Sequence, residues 1–375
     1  MFERAKAILI KEFKQIFRDS RMKTIIFVSP LIQIILFGYS ANKDITYVPT
    51  AIYDRDNTAE SREFLRKFTY SEYFVPEKYL FNDSQQDFVL NKGLVDTVIR
   101  IDRGFGRNLN ANKEASIQLA FDGTDSNTAM IVMGYANTII SNYQGEILKA
   151  KADSAGILGS IPSIDLRDRA WFNGNLVSRN YYLPGVICTI VTMMSLLLTA
   201  MAIVKEKEIG TMEQLTVSPL RPLELIIGKL LPFGIISLVQ VILITTLGVI
   251  WFHIPLRGNI ILLLFSACIY LFTTLGIGLF ISTISSTQQE ANMTVFLIYL
   301  PTVLLSGFAY PISNMPQVIQ WFTIFNPMRY FMVIIRSIFL KGVGLEVLWP
   351  QLLPLFIIGV IVITLSSLRF RKGLS

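Results

Sequence analysis

The sequence predicts a membrane protein with an all-α domain of six transmembrane helices and one inserted α/β domain outside the membrane. Of its 375 residues, 52% are hydrophobic and 16% are charged, whereas soluble domains carry about 25% charged residues. Several apolar stretches are long enough to cross a bilayer. Residues 42–180 break this pattern, because they hold 16 Lys or Arg and 18 Asp or Glu. The chain therefore combines two kinds of domain.

Residues 1–23 predict an amphipathic helix that lies in the membrane interface. Ile8, Phe13, Ile16 and Phe17 can share one face of this helix, with lysine and arginine on the other. No cleavage site of small residues follows, so we expect the segment to be retained. The apolar residues 24–41 predict the first span.

Residues 42–180 alternate between strand and helix patterns, which indicates a small α/β domain. The strands are expected at 48–54, 73–80, 94–102 and 115–123, and the helices at 57–69, 83–93 and 126–151. The stretch RGFGRNLN lacks the third glycine of a nucleotide-binding loop and predicts a turn. Asp125 or Ser126 is expected to cap the last helix, because the acidic run at 122–127 lacks the remaining ligands of a calcium loop.

Five more apolar stretches follow the inserted domain. They predict spans at 181–204, 223–252, 259–283, 291–310 and 350–368. The proline-broken residues 311–345 predict short re-entrant or interfacial helices. Lysine and arginine crowd residues 1–23 and 369–375. Because positive flanks stay inside, both termini are expected in the cytoplasm and residues 42–180 outside.

A charged passage, VKEKEIGTMEQLTVSPLRP, separates the second and third spans. We expect the chain to bend at Gly210 and Thr211 and to form a short surface helix that ends at Pro219. Two interpretations remain open. The passage is either a solvated loop or a surface that fits a groove on a soluble partner and moves both spans with it.

The longer stretch KEKEIGTMEQLTVSPLRPLELIIGKLLP resembles the signature loop of ABC-2 type transporter permeases. Further matches in the same order are KEFKQIFRDSR, LGIGLFISTISSTQQEA, LLSGFAYPISNMP and FNPMRYF. The resemblance covers essentially the whole chain and implies the fold of an ABC-2, or type V ABC, exporter. The large domain between the first two spans resembles the drug and multidrug exporter branch, found in bacterial inner membranes.

The resemblance implies a permease subunit that moves amphipathic or hydrophobic compounds out of the cytoplasm or the inner leaflet. The compounds would be drug-like, lipid-like or similar to bile salts. The expected partners are two ABC ATPase subunits, a second permease that is a copy or a paralogue, and membrane lipid, with a periplasmic adaptor as a further candidate and no nucleic acid. ATP and Mg would bind the ATPase, since Leu223 stands where a phosphate-binding loop would need its first glycine. We therefore expect no cofactor, metal or catalytic residue in this chain and no enzyme activity of its own.

The resemblance also implies which residues contact the ATPase and which line the substrate pathway. Contacts with the ATPase are expected from the N-terminal helix and the loop after the second span, at Lys11, Glu12, Arg18, Asp19, Glu206, Gly210, Thr211, Glu213 and Pro219. The substrate pathway is expected at Thr192, Ser195, Thr199, Thr294, Ile298 and Val303, although small and hydroxyl residues also favour ordinary helix packing. Independently of the resemblance, Arg329 and Arg336 lie seven residues apart on one helical face, and charge at membrane depth makes both of them candidates for substrate contact. The two arginines could instead reach lipid headgroups, and Glu346 is a candidate partner for them.

Two other functions are compatible with the pattern. A membrane-anchored sensor or receptor would bind a ligand with the outer domain and transport nothing. An ion-coupled secondary transporter would carry acidic residues in the middle of its spans, and Glu224 and Glu290 lie only at predicted ends.

Overall fold

The computed structural model describes residues 2–40, 45, 47–71, 73–154, 171–173, 177–210 and 222–372. The chain divides into two compact units: unit 1 is Met1–Lys43 with Arg169–Ser375, and unit 2 is Asp44–Asp168. In chain order, the described elements are α1 (Phe2–Arg18), α2 (Ser20–Lys23), α3 (Ser29–Ser40), β1 (Val48–Asp54), α4 (Ala59–Thr69), β2 (Phe74–Tyr79), α5 (Asp83–Asn91), β3 (Thr97–Ile101), α6 (Phe105–Asn110), β4 (Ile117–Phe121), α7 (Ser126–Ser154), α8 (Ser178–Ile209), α9 (Pro222–Phe252), α10 (Ile260–Ile284), α11 (Gln288–Leu304), α12 (Gln317–Phe322), α13 (Pro327–Arg336) and α14 (Leu345–Lys372). Two π-helical turns, Thr24–Val28 and Ser337–Lys341, continue α2 and α13.

Unit 2 contains a four-stranded mixed sheet in the order β2-β1-β3-β4. Strand β1 pairs in parallel with β2 and β3, and β4 runs antiparallel to β3. Side chains alternate across the sheet, so each face has its own core. Ile52 and Ile99 pack under α4 and α7, while Ala51 and Val98 pack on the side of α5. The predicted α/β domain is confirmed.

Two local details of unit 2 test the sequence analysis. The turn predicted for RGFGRNLN is confined to Arg103 and Gly104, and residues Phe105–Asn110 form a short helix that was not predicted. Gly104 precedes it with φ of 93°, and Asp56 accepts hydrogen bonds from the backbone N–H groups of Gly104 at 2.6 Å and Gly106 at 2.8 Å. The carboxylate thus satisfies donors that a helix start leaves unpaired. The predicted cap at Asp125 is confirmed, because its Oδ1 accepts a hydrogen bond from the backbone N–H of Thr128 at 3.4 Å and its Oδ2 accepts one from the Thr128 hydroxyl at 2.8 Å.

Unit 1 is helical, and four of its described helices are long and apolar enough to cross a membrane. These are Ser178–Ile209, Ile226–Phe252, Ile260–Ile284 and Leu345–Phe370. The segments Gln317–Phe325 and Pro327–Lys341 meet at an angle of 86° and would make a fifth span if taken together. Residues Thr24–Ser40 form a shorter apolar helix.

Three predicted span boundaries differ from the structure. The second span was expected to end at residue 204, but α8 continues to Ile209. The fifth was expected to reach residue 310, but α11 ends at Leu304 and the chain turns at Gly307, where φ is 82°. The sixth was expected to begin at residue 350, but α14 already begins at Leu345, since a proline near a helix start breaks few hydrogen bonds.

Helix α8 lies in the centre of unit 1. It is the most buried of the four long helices, since 78% of its most apolar stretch is buried. It packs against α3, α9, α10, α11 and α13. Close approach of the helices depends on small residues. A Cβ atom at Gly278 of α10 would lie 2.8 Å from Cβ of Thr199, and one at Gly276 would lie 2.6 Å from Cγ1 of Ile363. Because α8 contacts so many neighbours, a displacement of its end would reach most of the unit.

Candidate functional site

Four consecutive charged residues, Lys205, Glu206, Lys207 and Glu208, occupy the last turns of α8. They were expected in a loop, but lysine and glutamate favour helix and the helix ends only at Gly210, where φ is 80°. We call these four residues the charged hub. Successive residues of an α-helix point about 100° apart. The four side chains therefore point to four sides of α8, where different elements surround it.

Glu206 is the buried centre of the charged hub, with 5% of its surface exposed. One of its carboxylate oxygens accepts a hydrogen bond of 2.9 Å from Nζ of Lys11, on α1. The other forms an ion pair with Nζ of Lys229, a residue on α9 that is only 2% exposed. A single carboxylate thus joins the neighbouring helices α8 and α9 to α1, whose Lys11 is 195 residues from Glu206 in the sequence.

Glu12 brings a second buried carboxylate to the same cluster. Its Oε1 lies 3.8 Å from Nζ of Lys11 and 3.8 Å from Nζ of Lys229, without a hydrogen bond to either. Burial raises the pKa of the Glu12 carboxyl above its ordinary value, although the Lys229 charge lowers it. Burial lowers the pKa of Lys11, but the hydrogen bond and charge of Glu206 outweigh this effect and raise it. The two carboxylates share two ammonium groups unequally.

The other three residues of the charged hub contact three further places. Nζ of Lys205 lies 3.7 Å from Oδ2 of Asp19, which follows α1. Nζ of Lys207 donates a 2.6 Å hydrogen bond to the Ser282 carbonyl near the C-terminal end of α10, where a cation satisfies unpaired carbonyls. The carboxylate of Glu208 accepts a 2.7 Å hydrogen bond from Nε2 of Gln288, the first residue of α11.

The charged hub therefore fastens the end of α8 to α1, α9, α10 and α11 by polar contacts. Buried ion pairs add little net stability compared with apolar packing, but they fix one arrangement, because breaking them leaves a buried charge without a partner. The charged hub can hold helix ends in register and pass a movement from one of them to the others.

The expected ATPase-contact residues divide into three groups. Lys11, Glu12 and Glu206 meet in one cluster, and Asp19 joins it through Lys205. Arg18 is exposed, and Gly210 marks the end of α8. Thr211, Glu213 and Pro219, together with the expected surface helix, lie outside the described residues.

Sequence reasoning missed Lys229 and Gln288 as members of this site, and it missed the separate contacts of Lys205, Lys207 and Glu208. The signal for Lys229 was available. A lone charge inside an apolar span is costly unless it is paired, so it deserves a search for its partner. Gln288 carries no comparable signal in the sequence.

The expected pathway residues of α8 face α10. The hydroxyl of Ser195 donates a 2.9 Å hydrogen bond to Oγ1 of Thr274, and Thr192 forms a hydrogen bond with the Tyr270 hydroxyl. Thr199 packs on Gly278. All three are buried. In this conformation they make helix-packing contacts, and their role in a pathway stays a prediction.

The expected pathway residues of α11 lie beside α8 as well. Oγ1 of Thr294 donates a 2.9 Å hydrogen bond to the Glu290 carbonyl, within its own helix. Ile298 packs on a cluster that includes Leu196 of α8, and Val303 packs on the main core of unit 1. Their role in a pathway is equally untested.

The two arginines expected near the pathway have neutral partners. Nη1 of Arg329 donates a 2.5 Å hydrogen bond to Oγ1 of Thr323. Nη1 of Arg336 donates to the Tyr181 hydroxyl at 2.9 Å and to the Gly307 carbonyl at 3.1 Å. Within the part of the chain that the structure describes, neither arginine pairs with the expected Glu346.

The chain matches a known family and several relatives along nearly its full length. Residues 23–368 match the family described as "ABC-2 family transporter protein". The chain is similar to the "Probable multidrug ABC transporter permease YbhR" of Escherichia coli (strain K12), with 32% identity over 372 residues and 99% of each chain covered. It is similar to the same organism's "Probable multidrug ABC transporter permease YbhS", with 31% identity over 377 residues, covering 100% of this chain and 98% of that one.

A third relative is the "Inner membrane transport permease YhhJ" of the same strain, with 30% identity over 368 residues, covering 97% of this chain and 96% of that one. The matched span of the family includes α8, the charged hub and all the helices that the hub contacts except α1. The resemblance noted from the motifs is therefore confirmed, and the chain belongs to the ABC-2 family of transporter permeases, as a membrane subunit of an ABC transporter.

Proposed function

We propose that this permease is half of the transmembrane part of an exporter in a bacterial inner membrane. Two ATPase subunits drive it, and it moves amphipathic or hydrophobic compounds out of the cytoplasm or the inner leaflet. The names of the relatives YbhR, YbhS and YhhJ support an inner-membrane location, a permease role and the multidrug class of exporter. A second permease, either a copy or a paralogue, completes the pathway.

The charged hub is the observation that carries this proposal. An exporter powered from outside the membrane needs a place where movement of a soluble partner becomes movement of helices. The end of α8 provides such a place, because the single side chain of Glu206 pairs with Lys11 of α1 and with Lys229 of α9. The chain leaves the hub at Gly210 and enters the passage that carries Thr211, Glu213 and Pro219. We propose that this passage and α1 form the ATPase contact.

The same arrangement supports the proposed orientation. The hub end of unit 1 carries the basic residues of α1 and Arg369 of α14, whose side chain lies over the Phe280 ring at 5.7 Å. Positive flanks favour the cytoplasmic side. We therefore propose that the hub end and both termini are cytoplasmic and that unit 2 is periplasmic.

The test is export from reconstituted vesicles. The permease and its ATPase are placed in inside-out vesicles, and uptake of an amphipathic fluorescent dye, Hoechst 33342, is followed after ATP is added. We expect ATP-dependent uptake by the native complex. The double variant Glu206→Ala with Glu213→Ala should still insert but lose uptake by about tenfold or more, because the joint between ATPase and helices is broken.

A matched control comes from unit 2. Lys67 forms an exposed ion pair of 2.6 Å with Glu146. The variant Lys67→Ala removes a charge pair without touching the hub, so its uptake should equal that of the native complex. Normal uptake by the double variant at Glu206 and Glu213 would count against the exporter. So would the absence of ATP-dependent uptake by the native complex for every amphipathic dye tried.

A further inference from the structure

Arg336 carries buried donors that the fold does not use. It is the last residue of α13, and its Nε and Nη2 atoms are buried without a hydrogen-bond partner. In the part of the chain that the structure describes, the guanidinium atom with hydrogen-bond partners is Nη1, which donates to the Tyr181 hydroxyl and the Gly307 carbonyl. Within the described residues no carboxylate accompanies this guanidinium. A half-buried cation with neutral partners keeps an attraction for an anion that those partners do not satisfy.

The Tyr181 ring, at the start of α8, lies against the guanidinium. Cζ of Arg336 is 3.9 Å from the centre of that ring. Tyr181 is 39% exposed, and Arg336 itself is half-buried. A ring on the first turn of a helix can change its rotamer without moving the helix. The guanidinium is therefore close to the surface of the unit, although its donors are covered.

The second partner belongs to a turn that closes the gap between α8 and α13. Gly307 has φ of 82°, and the next residue, Phe308, packs directly on α8, where a Cβ at Gly185 would lie 2.7 Å from its ring. The same position would lie 3.2 Å from Sδ of Met332, one turn before Arg336. Arg336 thus holds this turn against two helices through one neutral hydrogen bond.

We propose that Arg336 is the anchor of a binding site for the anionic headgroup of an amphipathic molecule, a carboxylate, sulfate or phosphate. The headgroup would replace the Tyr181 hydroxyl and the Gly307 carbonyl as the partner of the guanidinium. The exchange is favourable because an anion can accept two parallel hydrogen bonds from the fork of an arginine, each about twice as strong as a neutral one. It also releases the turn at Gly307. This inference rests on the proposed export function and specifies its substrate class.

The test compares one acid with its uncharged ester. The complete complex is placed in phosphatidylcholine nanodiscs, and binding of 11-(dansylamino)undecanoic acid and of its methyl ester is measured by dansyl fluorescence. We expect the native complex to bind the acid about tenfold more tightly than the ester. Arg336→Gln should remove this preference and leave ester binding unchanged, and Arg336→Lys, which keeps the charge but loses the fork, should retain part of it.

Two further variants separate the site from general effects. Tyr181→Phe keeps the ring but removes the competing hydroxyl, so it should bind the acid at least as tightly as the native complex. Arg257 is exposed, and its backbone N–H bonds to the Phe339 carbonyl just after Arg336. Arg257→Gln removes one charge at the same end and should leave the preference for the acid intact. Equal binding of acid and ester by the native complex, or equal loss of preference in Arg257→Gln, would overturn the proposal.

A second experiment, which changes the lipid of the nanodisc, identifies the source of the anion. Replacing part of the phosphatidylcholine by phosphatidylglycerol should weaken acid binding to the native complex, but not to Arg336→Gln, if lipid headgroups use the site. If the acid binds equally well in both lipids, the site takes the free amphipath. ATP-driven movement of the methyl ester in vesicles tests export separately, since it requires no anion. Export of the ester without any preference for the acid would remove only the Arg336 site.

Discussion

Two regions of unit 1 pair their charged side chains in opposite ways. In the charged hub, buried Glu206 has two ammonium groups as partners, Lys11 and Lys229. At Arg336, the guanidinium has a hydroxyl, a carbonyl and an aromatic ring. A matched pair of charges holds one arrangement firmly, while a charge with neutral partners can exchange them. The charged hub holds helices together, whereas Arg336 keeps an attraction for an anion that does not belong to the fold.

The largest effect is expected from removing Lys229, the buried lysine of α9 that pairs with Glu206 of the charged hub. Lys229→Met leaves Glu206 and Glu12 as neighbouring buried carboxylates, and breaking a buried ion pair costs about 3–5 kcal/mol. We expect a large fall in the melting temperature of the purified permease. The double variant Lys229→Met with Glu206→Leu removes both charges and should recover much of this loss. A single variant as stable as the native protein would mean that the hub is not held by this pair.

Arg336→Gln should cost less than Lys229→Met, and so sharpen the comparison. It leaves the part-buried Gly307 carbonyl without its donor, which costs at most about 1–3 kcal/mol, while the exposed Tyr181 hydroxyl can bond to water instead. It creates no unpaired buried charge. Thermal unfolding of the two variants under the same conditions measures the difference. A greater loss for Arg336→Gln would reverse the assignment of the two regions.

Lys205→Ala should have a small effect on stability. Its ion pair with Asp19 spans 3.7 Å, and each side chain is 34% exposed. Pairs of this kind contribute about 0.2–1 kcal/mol and weaken in salt. The melting temperature should change little and the change should shrink at high salt. A loss as large as that of Lys229→Met would show that exposure does not separate strong hub contacts from weak ones.

Glu12→Gln should show an effect of opposite sign at neutral pH. Because the pKa of Glu12 in the folded protein lies above the ordinary 4.5, its contribution to stability is fully present below that value and is lost as pH rises through the raised pKa. Glutamine carries no charge to desolvate. The variant should therefore gain stability over the native protein as pH rises from acid to neutral, measured by melting temperature. A variant less stable than the native protein at neutral pH would contradict the unequal roles of Glu12 and Glu206.

The sequence predicted most of the fold because local patterns determine it. Strand β1 was expected at residues 48–54 and lies at Val48–Asp54, since a short, largely apolar run ended by the charged and polar residues that follow it is a local signal. The helix Phe105–Asn110 was missed because its start depends on Asp56, which is about fifty residues away in the sequence. The end of α8 was misplaced because charged residues were taken to end a span, although they also extend helices.

The candidate site could be predicted only in part. Family resemblance indicated Lys11, Glu12 and Glu206 one by one, but Lys11 and Glu206 are 195 residues apart, and no local pattern predicts that they meet. The partner of Lys229 was likewise a matter of tertiary packing. The unused donors of Arg336 depend on the turn at Gly307 and on the start of α8. Contacts between distant segments are the part that one sequence does not contain.

The most direct test of the central claim separates binding from coupling at Glu206. In the reconstituted complex, Glu206→Gln keeps the shape of the side chain but loses its charge. If the charged hub transmits movement, the variant should bind the dye about as well as the native permease, while the stimulation of ATP hydrolysis by the dye falls about tenfold. Dye-stimulated hydrolysis at the native level in a folded Glu206→Gln complex would contradict the account.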